Sequence, residues 1–154
     1  MLTDLSVNVS VQQEDFDLGL EYAQFRRDCS GAGAVVSFVG LVRDLNLNDG
    51  VQALELEHYP GMTQKCLGQI ARQALARWGL QSVRVIHRVG LLSPSDQIVL
   101  VLTASAHRES AYQASEFIMD YLKSEAPFWK KEWTAQGSRW LEQRQSDQIA
   151  LVRW

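Results

Sequence analysis

The chain has 154 residues, enough for one packed domain, and its 46% hydrophobic and 21% charged content is ordinary for a globular protein. A net charge of −3 and a pI near 5.6 argue against a general nucleic-acid coat, which must neutralise many phosphates, so any basic site must be local. No apolar run approaches the ~20 residues of a membrane helix, and the first seventeen residues lack the apolar core of a signal peptide. A soluble, cytoplasmic, single-domain protein spanning 1–154 is expected.

Residues 5–11 alternate apolar and polar side chains, as a half-buried strand does. Phe16, Leu18, Leu20, Tyr22, Ala23 and Phe25 place an uneven helix over 16–27. Gly31 and Gly33 punctuate the chain before a β-branched run, 34–42, that reads as a strand. The polar stretch 44–50, DLNLNDG, reads as a loop with room to move. Over 51–58 the alternation puts Leu54, Leu56 and His58 on one face of a strand and Glu55 and Glu57 on the other. After the turn Tyr59-Pro60-Gly61, apolar residues recur at helical spacing from Leu67 through Ile70, Ala71, Ala74 and Leu75 to Trp78, and Gly79 makes a good stop.

Residues 83–89 alternate again, and SPSD at 93–96 is a turn. The nearly all-apolar run 97–103 has the character of a strand buried on both faces, at the centre of a sheet. Ser105 is the expected N-cap of the next helix, with Ala111, Ala114, Ser115, Ile118, Tyr121 and Leu122 as its buried stripe. Pro127 forbids continuation. Residues 129–134 and 140–144 read as strands, and the tail is polar apart from Trp154. Strand–helix alternation with paired strands predicts an α+β fold, a mixed β-sheet with flanking helices.

The chemistry gathers in 107–132, HRESAYQASEFIMDYLKSEAPFWKKE, where a chain of negative net charge concentrates cations and aromatics. A helix N-terminus presents free N–H groups and a positive dipole to anions, and Arg108 in a first turn is unfavourable unless something anionic sits close. The plain alternative is an exposed Arg108 paired with Glu109. Lys123 and Lys130 flank a Ser-Glu-Ala-Pro-Phe-Trp segment. Desolvation or a neighbouring cation would turn either into a nucleophile or base, whereas a lysine at a helix end is more commonly solvated. Arg43 stands where a buried strand gives way to a loop, a position that favours function but also suits a surface ion pair.

Other chemistries find little support. Cys29 and Cys66 have neither disulfide nor zinc spacing, and His58, His87 and His107 fall on separate elements, so no metal site is expected. No GxSxG elbow, P-loop or GxGxxG occurs, and no resident cofactor is implied.

Six ordered segments carry a resemblance: VVSFVGLVR at 35–43, LEHYPGM at 56–62, VIHRVG at 85–90, SAHR at 105–108, FIMDYLK at 117–123 and APFWKKE at 126–132. Together they resemble the large, catalytic subunit of molybdopterin synthase, from about Gly31 to the C-terminus. The resemblance implies an α/β hammerhead-like fold and an enzyme of molybdenum cofactor biosynthesis. Such a sulfurtransferase converts cyclic pyranopterin monophosphate to the dithiolene-bearing molybdopterin. Its sulfur arrives as a thiocarboxylate on the Gly-Gly tail of a small ubiquitin-like carrier, and two large subunits form the homodimer core of a heterotetramer.

Carried over by position, Lys123 and Lys130 match the family's catalytic lysines. Arg43, His107 and Arg108 match its substrate-phosphate and pocket residues, with Phe38 and Met119 lining the tunnel. Lys131, Glu132 and Arg144 complete the expected substrate-binding set. Leu41 departs from the polar residue expected after that glycine. Fifteen residues of one helix separate Arg108 from Lys123, ~22 Å at ~1.5 Å per residue, more than one pterin spans. Each pocket is therefore expected to take its lysines from one protomer and His107 and Arg108 from the other. The competing reading is a module that binds a ubiquitin-like tail or an anionic, nucleotide-like ligand without turnover.

Overall fold

The structure, a computed structural model, describes residues 6–43, 50–141 and 149–154. Its elements run β1 (Val7–Gln12), α1 (Leu18–Asp28), β2 (Ala34–Leu41), β3 (Val51–His58), α2 (Met62–Trp78), β4 (Ser82–Arg88), β5 (Gly90–Leu92), β6 (Gln97–Ser105), α3 (Arg108–Ser124), β7 (Phe128–Thr134) and β8 (Gly137–Leu141). The α+β class is as expected, but the strands form two sheets rather than one. The first, in the order β1-β4-β6-β2, is mixed, with β1 parallel to β4 and its other pairs antiparallel; the second, β5-β3-β7-β8, is antiparallel throughout.

The first sheet carries helices on both faces. Val83, Val85, Val99 and Val101 point to α2 and α3, where they meet Leu67, Ile70, Ala71, Ala74, Ala114, Phe117, Ile118 and Leu122. Ile86, Leu100, Leu102 and Ala104 point the other way, to Phe16, Phe25 and Cys29 around α1. The interior strand β6 is buried without a break from Val99 to Ser105, which is why its sequence shows no alternation. Each large side chain so buried contributes about 1.5–3 kcal/mol. A third cluster of Val42, Leu54, Leu56, Val89 and Leu92 lies under the second sheet, and Phe128, Val11 and Ile98 touch both it and the α2–α3 cluster.

Several elements depart from the periodicity. α2 starts at Met62, five residues before Leu67, because only Thr63 is buried in its first turn and the apolar repeat begins later. β5 is three residues long, too short to show a period, and exists by pairing Leu54 with Leu92. Ser105 ends β6 instead of capping α3; the N-cap is His107, whose N–H reaches Ser105 Oγ at 3.4 Å. Phe117 rather than Tyr121 is the buried aromatic of α3. The strand expected over 140–144 begins earlier, at Gly137, after a turn that reverses β7, and residues 142–144 lie outside the described residues, as does most of the loop expected over 44–50. Trp154 packs edge-on against Trp78 and Phe117 and donates from Nε1 to Asp120 at 2.6 Å.

Candidate functional site: a lysine-bearing turn between two sheets

α3 closes with the Glu125 N–H donating to Tyr121 O at 2.8 Å, and the turn through Pro127 is held by Phe128 N–H to Ala126 O at 2.8 Å. Lys123 therefore sits exposed in the last helical turn, where a cation suits the negative end of the helix dipole. Lys130 is three residues into β7, exposed, and paired in register with Leu56.

Strand alternation then sorts the neighbours. Leu54, Leu56 and His58 of β3 oppose Glu132, Lys130 and Phe128 of β7 on the inner face of the second sheet. Glu55 and Glu57 oppose Lys131 and Trp129 on the outer face. Lys131 thus does not join Lys130: its Nζ lies 3.9 Å from both Glu55 Oε2 and Glu57 Oε1, and 4.4 Å from the Trp140 ring centroid. Glu132, only 1% exposed, receives Arg139 Nη2 at 2.7 Å and Nε at 2.8 Å. Lys131 and Glu132, both expected as substrate contacts, are ion-paired within the second sheet.

On the inner face, His87 of β4 stacks on Phe128 with ring centroids 3.9 Å apart and 20° between planes. His87 Nδ1 is 2.8 Å from Arg88 O. A carbonyl only accepts, so Nδ1 carries the proton and Nε2 is left as an acceptor. Burial pushes the His87 pKa down to about 4, electrostatic interaction with Lys130 and His58 pushes the same way, and the Arg88 carbonyl opposes them. Among the described residues His58 Nδ1 is buried without a hydrogen-bond partner. The sequence hides this grouping because β3 and β4 lie far apart along the chain. The available signal was that His58 and His87 both continue inward-facing apolar stripes.

The remaining expected residues separate into two groups. Phe38 pairs with Val101 on edge strand β2, the side covered by α2 and α3, and Met119 of α3 packs against that same cluster. Val42 N–H to Asp96 O at 2.8 Å and Ser95 N–H to Val42 O at 2.6 Å tie down the chain just before the exposed Arg43. Arg43 thus follows the end of β2 that pairs with the start of β6, away from the N-terminus of α3. His107 and Arg108 are exposed at that opposite end. Gly33 makes the close approach there possible: its N–H donates to Ser105 O at 2.9 Å, and an added Cβ would lie 2.2 Å from the Ala106 carbonyl oxygen. α3 is one unbroken helix from Arg108 to Ser124, so a single chain holds Arg108 and Lys123 ~22 Å apart. Arg144 lies outside the described residues.

One surface cavity of about 360 Å³ is lined by Thr134, Gln136, Gly137, Ser138 and Arg139, and another of about 310 Å³ by residues including Gln13, Glu57, His58 and Gly90. Neither is lined by Lys123, Lys130, His107 or Arg108. Among the described residues, no helix is long and apolar enough to cross a membrane.

Fold and site define a two-sheet α+β protein with exposed lysines on either side of a Pro-aromatic turn. The chain matches the model of the MoaE protein family over residues 11–125. It is 60% identical over 146 residues, 95% of this chain and 83% of the relative, to the molybdopterin synthase catalytic subunit of Ralstonia nicotianae. Among solved structures it resembles the molybdopterin biosynthesis MoaE protein from Burkholderia ambifaria, with a TM-score of 0.83 and 51% identity over 96% of this chain and 97% of that one. It also resembles molybdopterin synthase from Staphylococcus aureus, with a TM-score of 0.75 and 32% identity over 92% of this chain and 99% of that one. The chain belongs to the MoaE family, that of the molybdopterin synthase catalytic subunit.

Proposed function

We propose that this chain acts in the cytoplasm as a sulfurtransferase that converts cyclic pyranopterin monophosphate to molybdopterin. The sulfur comes from the C-terminal thiocarboxylate of a small ubiquitin-like carrier, one bound at each end of a homodimer of this chain. The observation that carries the reading is the placement of Lys123 and Lys130 on either side of the Pro127 turn, in a chain that shares the family's motifs.

In this reading Arg43 of one protomer and His107 and Arg108 of the other hold the phosphate and stabilise negative charge as the cyclic ester opens. Phe38 and Met119 line the path of the pterin, and Arg144 is a further substrate contact. Lys123 positions or attacks the terminal carbonyl of the carrier, and Lys130 assists as a cation or proton donor. Attack by Lys123 would form an amide with the carrier's last glycine as the C–S bond breaks and the sulfur leaves as hydrosulfide for the pterin; that amide, later hydrolysed by water, would be visible by intact mass in stalled reactions. Lys131 and Glu132 are further substrate contacts, drawn from residues that also pair with Glu55, Glu57 and Arg139 within the second sheet.

The test mixes the purified chain with thiocarboxylated carrier and cyclic pyranopterin monophosphate and measures molybdopterin as its fluorescent oxidised derivative. Lys123→Ala is expected to lower turnover by about 100-fold or more while carrier binding persists. Carrier binding without product from the unaltered chain would leave a binding module in place of the enzyme.

A further inference from the structure

The two inward-facing histidines have no part in the chemistry above, yet both lie at Phe128, two residues from Lys130 on the same face of β7. Phe128 and Lys130 are on the same face of β7, two residues apart; the Phe128 ring covers His87, and His58 is the register partner of Phe128. Lys130 and His58 both interact electrostatically with His87. The strands flanking β4 bring no charge at this point, because Val11 of β1 and Val99 of β6 are the register partners of His87. Among the described residues no third His, Cys, Asp or Glu joins the two imidazoles as a metal-binding group. A half-buried imidazole held as its Nδ1–H tautomer by Arg88 O, and a second imidazole with a buried, unpartnered nitrogen, are more than packing requires.

We propose that His87, supported by His58, is a positioning residue for Lys130: its unprotonated Nε2 presents an acceptor that favours one orientation and the ammonium form of that lysine. The inference rests on the sulfurtransferase reading, in which Lys130 works as a cation or proton donor. A neutral acceptor beside a lysine stabilises the charged form without adding competing charge.

Two amide replacements separate this role from a structural one. His87→Asn keeps a donor near Nδ1 for the Arg88 carbonyl but has nothing at the Nε2 position, whereas His87→Gln places its amide there. His87→Asn is expected to lower kcat about 10- to 100-fold with the carrier KM changed less than about twofold, and His87→Gln to retain activity within a few-fold. A second readout needs no turnover. Reductive methylation at pH 8, mapped by peptide mass spectrometry, should rise several-fold at Lys130 in His87→Asn, with Lys65 unchanged as the internal reference. Should His87→Asn not fold, His58→Leu extends the Leu54–Leu56 stripe, is expected to fold, and should lower kcat about tenfold. Unaltered turnover and Lys130 methylation in folded His87→Asn would overturn the proposal, as would equal loss in both amide variants in step with lost thermal stability. Absence of product from the unaltered chain would instead overturn the sulfurtransferase reading and leave the methylation result to judge the histidines.

Discussion

At the scale of single residues, His87 shows how packing alters what a side chain can do. An imidazole in water titrates near 6.5, whereas this one is held down to about 4, chiefly by burial. Above pH ~6.5 both folded and unfolded chains carry it neutral, and its contribution to stability is complete. As pH falls from ~6.5 toward ~4 the unfolded chain takes up the proton first, so stability declines; below ~4 both states are protonated and the decline ends. The full loss is up to about 3 kcal/mol. Urea unfolding at pH 7 and pH 4.5 should therefore show a steeper loss for the unaltered chain than for His87→Gln, and equal losses would contradict the neutral buried ring. Lys131 carries a related lesson. It adjoins Lys130 in sequence, but strand alternation sends it to the opposite face, between two glutamates and beside Trp140.

At the scale of elements, local periodicity was legible wherever a strand or helix buries one face. The alternation of 51–58 matches β3 at both ends, and Gly79 stops α2 with φ 59°, the left-handed conformation that glycine adopts at little cost. The start of α2 was not legible, since its first turn is largely exposed, nor was β5, which owes its existence to pairing with β3. The β7–β8 hairpin depends on a charge pair that no local pattern announces. Arg139→Ala would leave the Glu132 carboxylate buried and unpaired, and a loss of about 3 kcal/mol is expected in chemical denaturation. Adding Glu132→Leu should recover much of that loss; no recovery would mean that Arg139 stabilises the hairpin by other contacts. Gly33→Val, forced against the Ala106 carbonyl, is expected to cost about 1–3 kcal/mol in the same measurement.

At the scale of the whole molecule, α3 separates His107 and Arg108 from the lysines. One chain keeps Arg108 and Lys123 at opposite ends of an unbroken helix, so a pterin-sized substrate that meets both must draw them from two protomers. Mixed dimers of Lys123→Ala and Arg108→Ala chains, each inactive alone, should regain activity at one of their two sites, approaching half the unaltered value per mixed dimer. Mixtures that stay inactive, with both variants folded and dimeric, would require each site to be built within one chain. Sequence alone determined the α+β class, the main strands and helices, and the six motifs that point to the family, because periodicity and motif spacing are local properties of the chain. Only the tertiary structure decided that the strands divide into two sheets, that Lys131 turns away from Lys130, and that His58 and His87 both come to lie at Phe128. Those outcomes depend on which distant strands pair and in which register, and a one-residue change of register would send every one of these side chains to the other face.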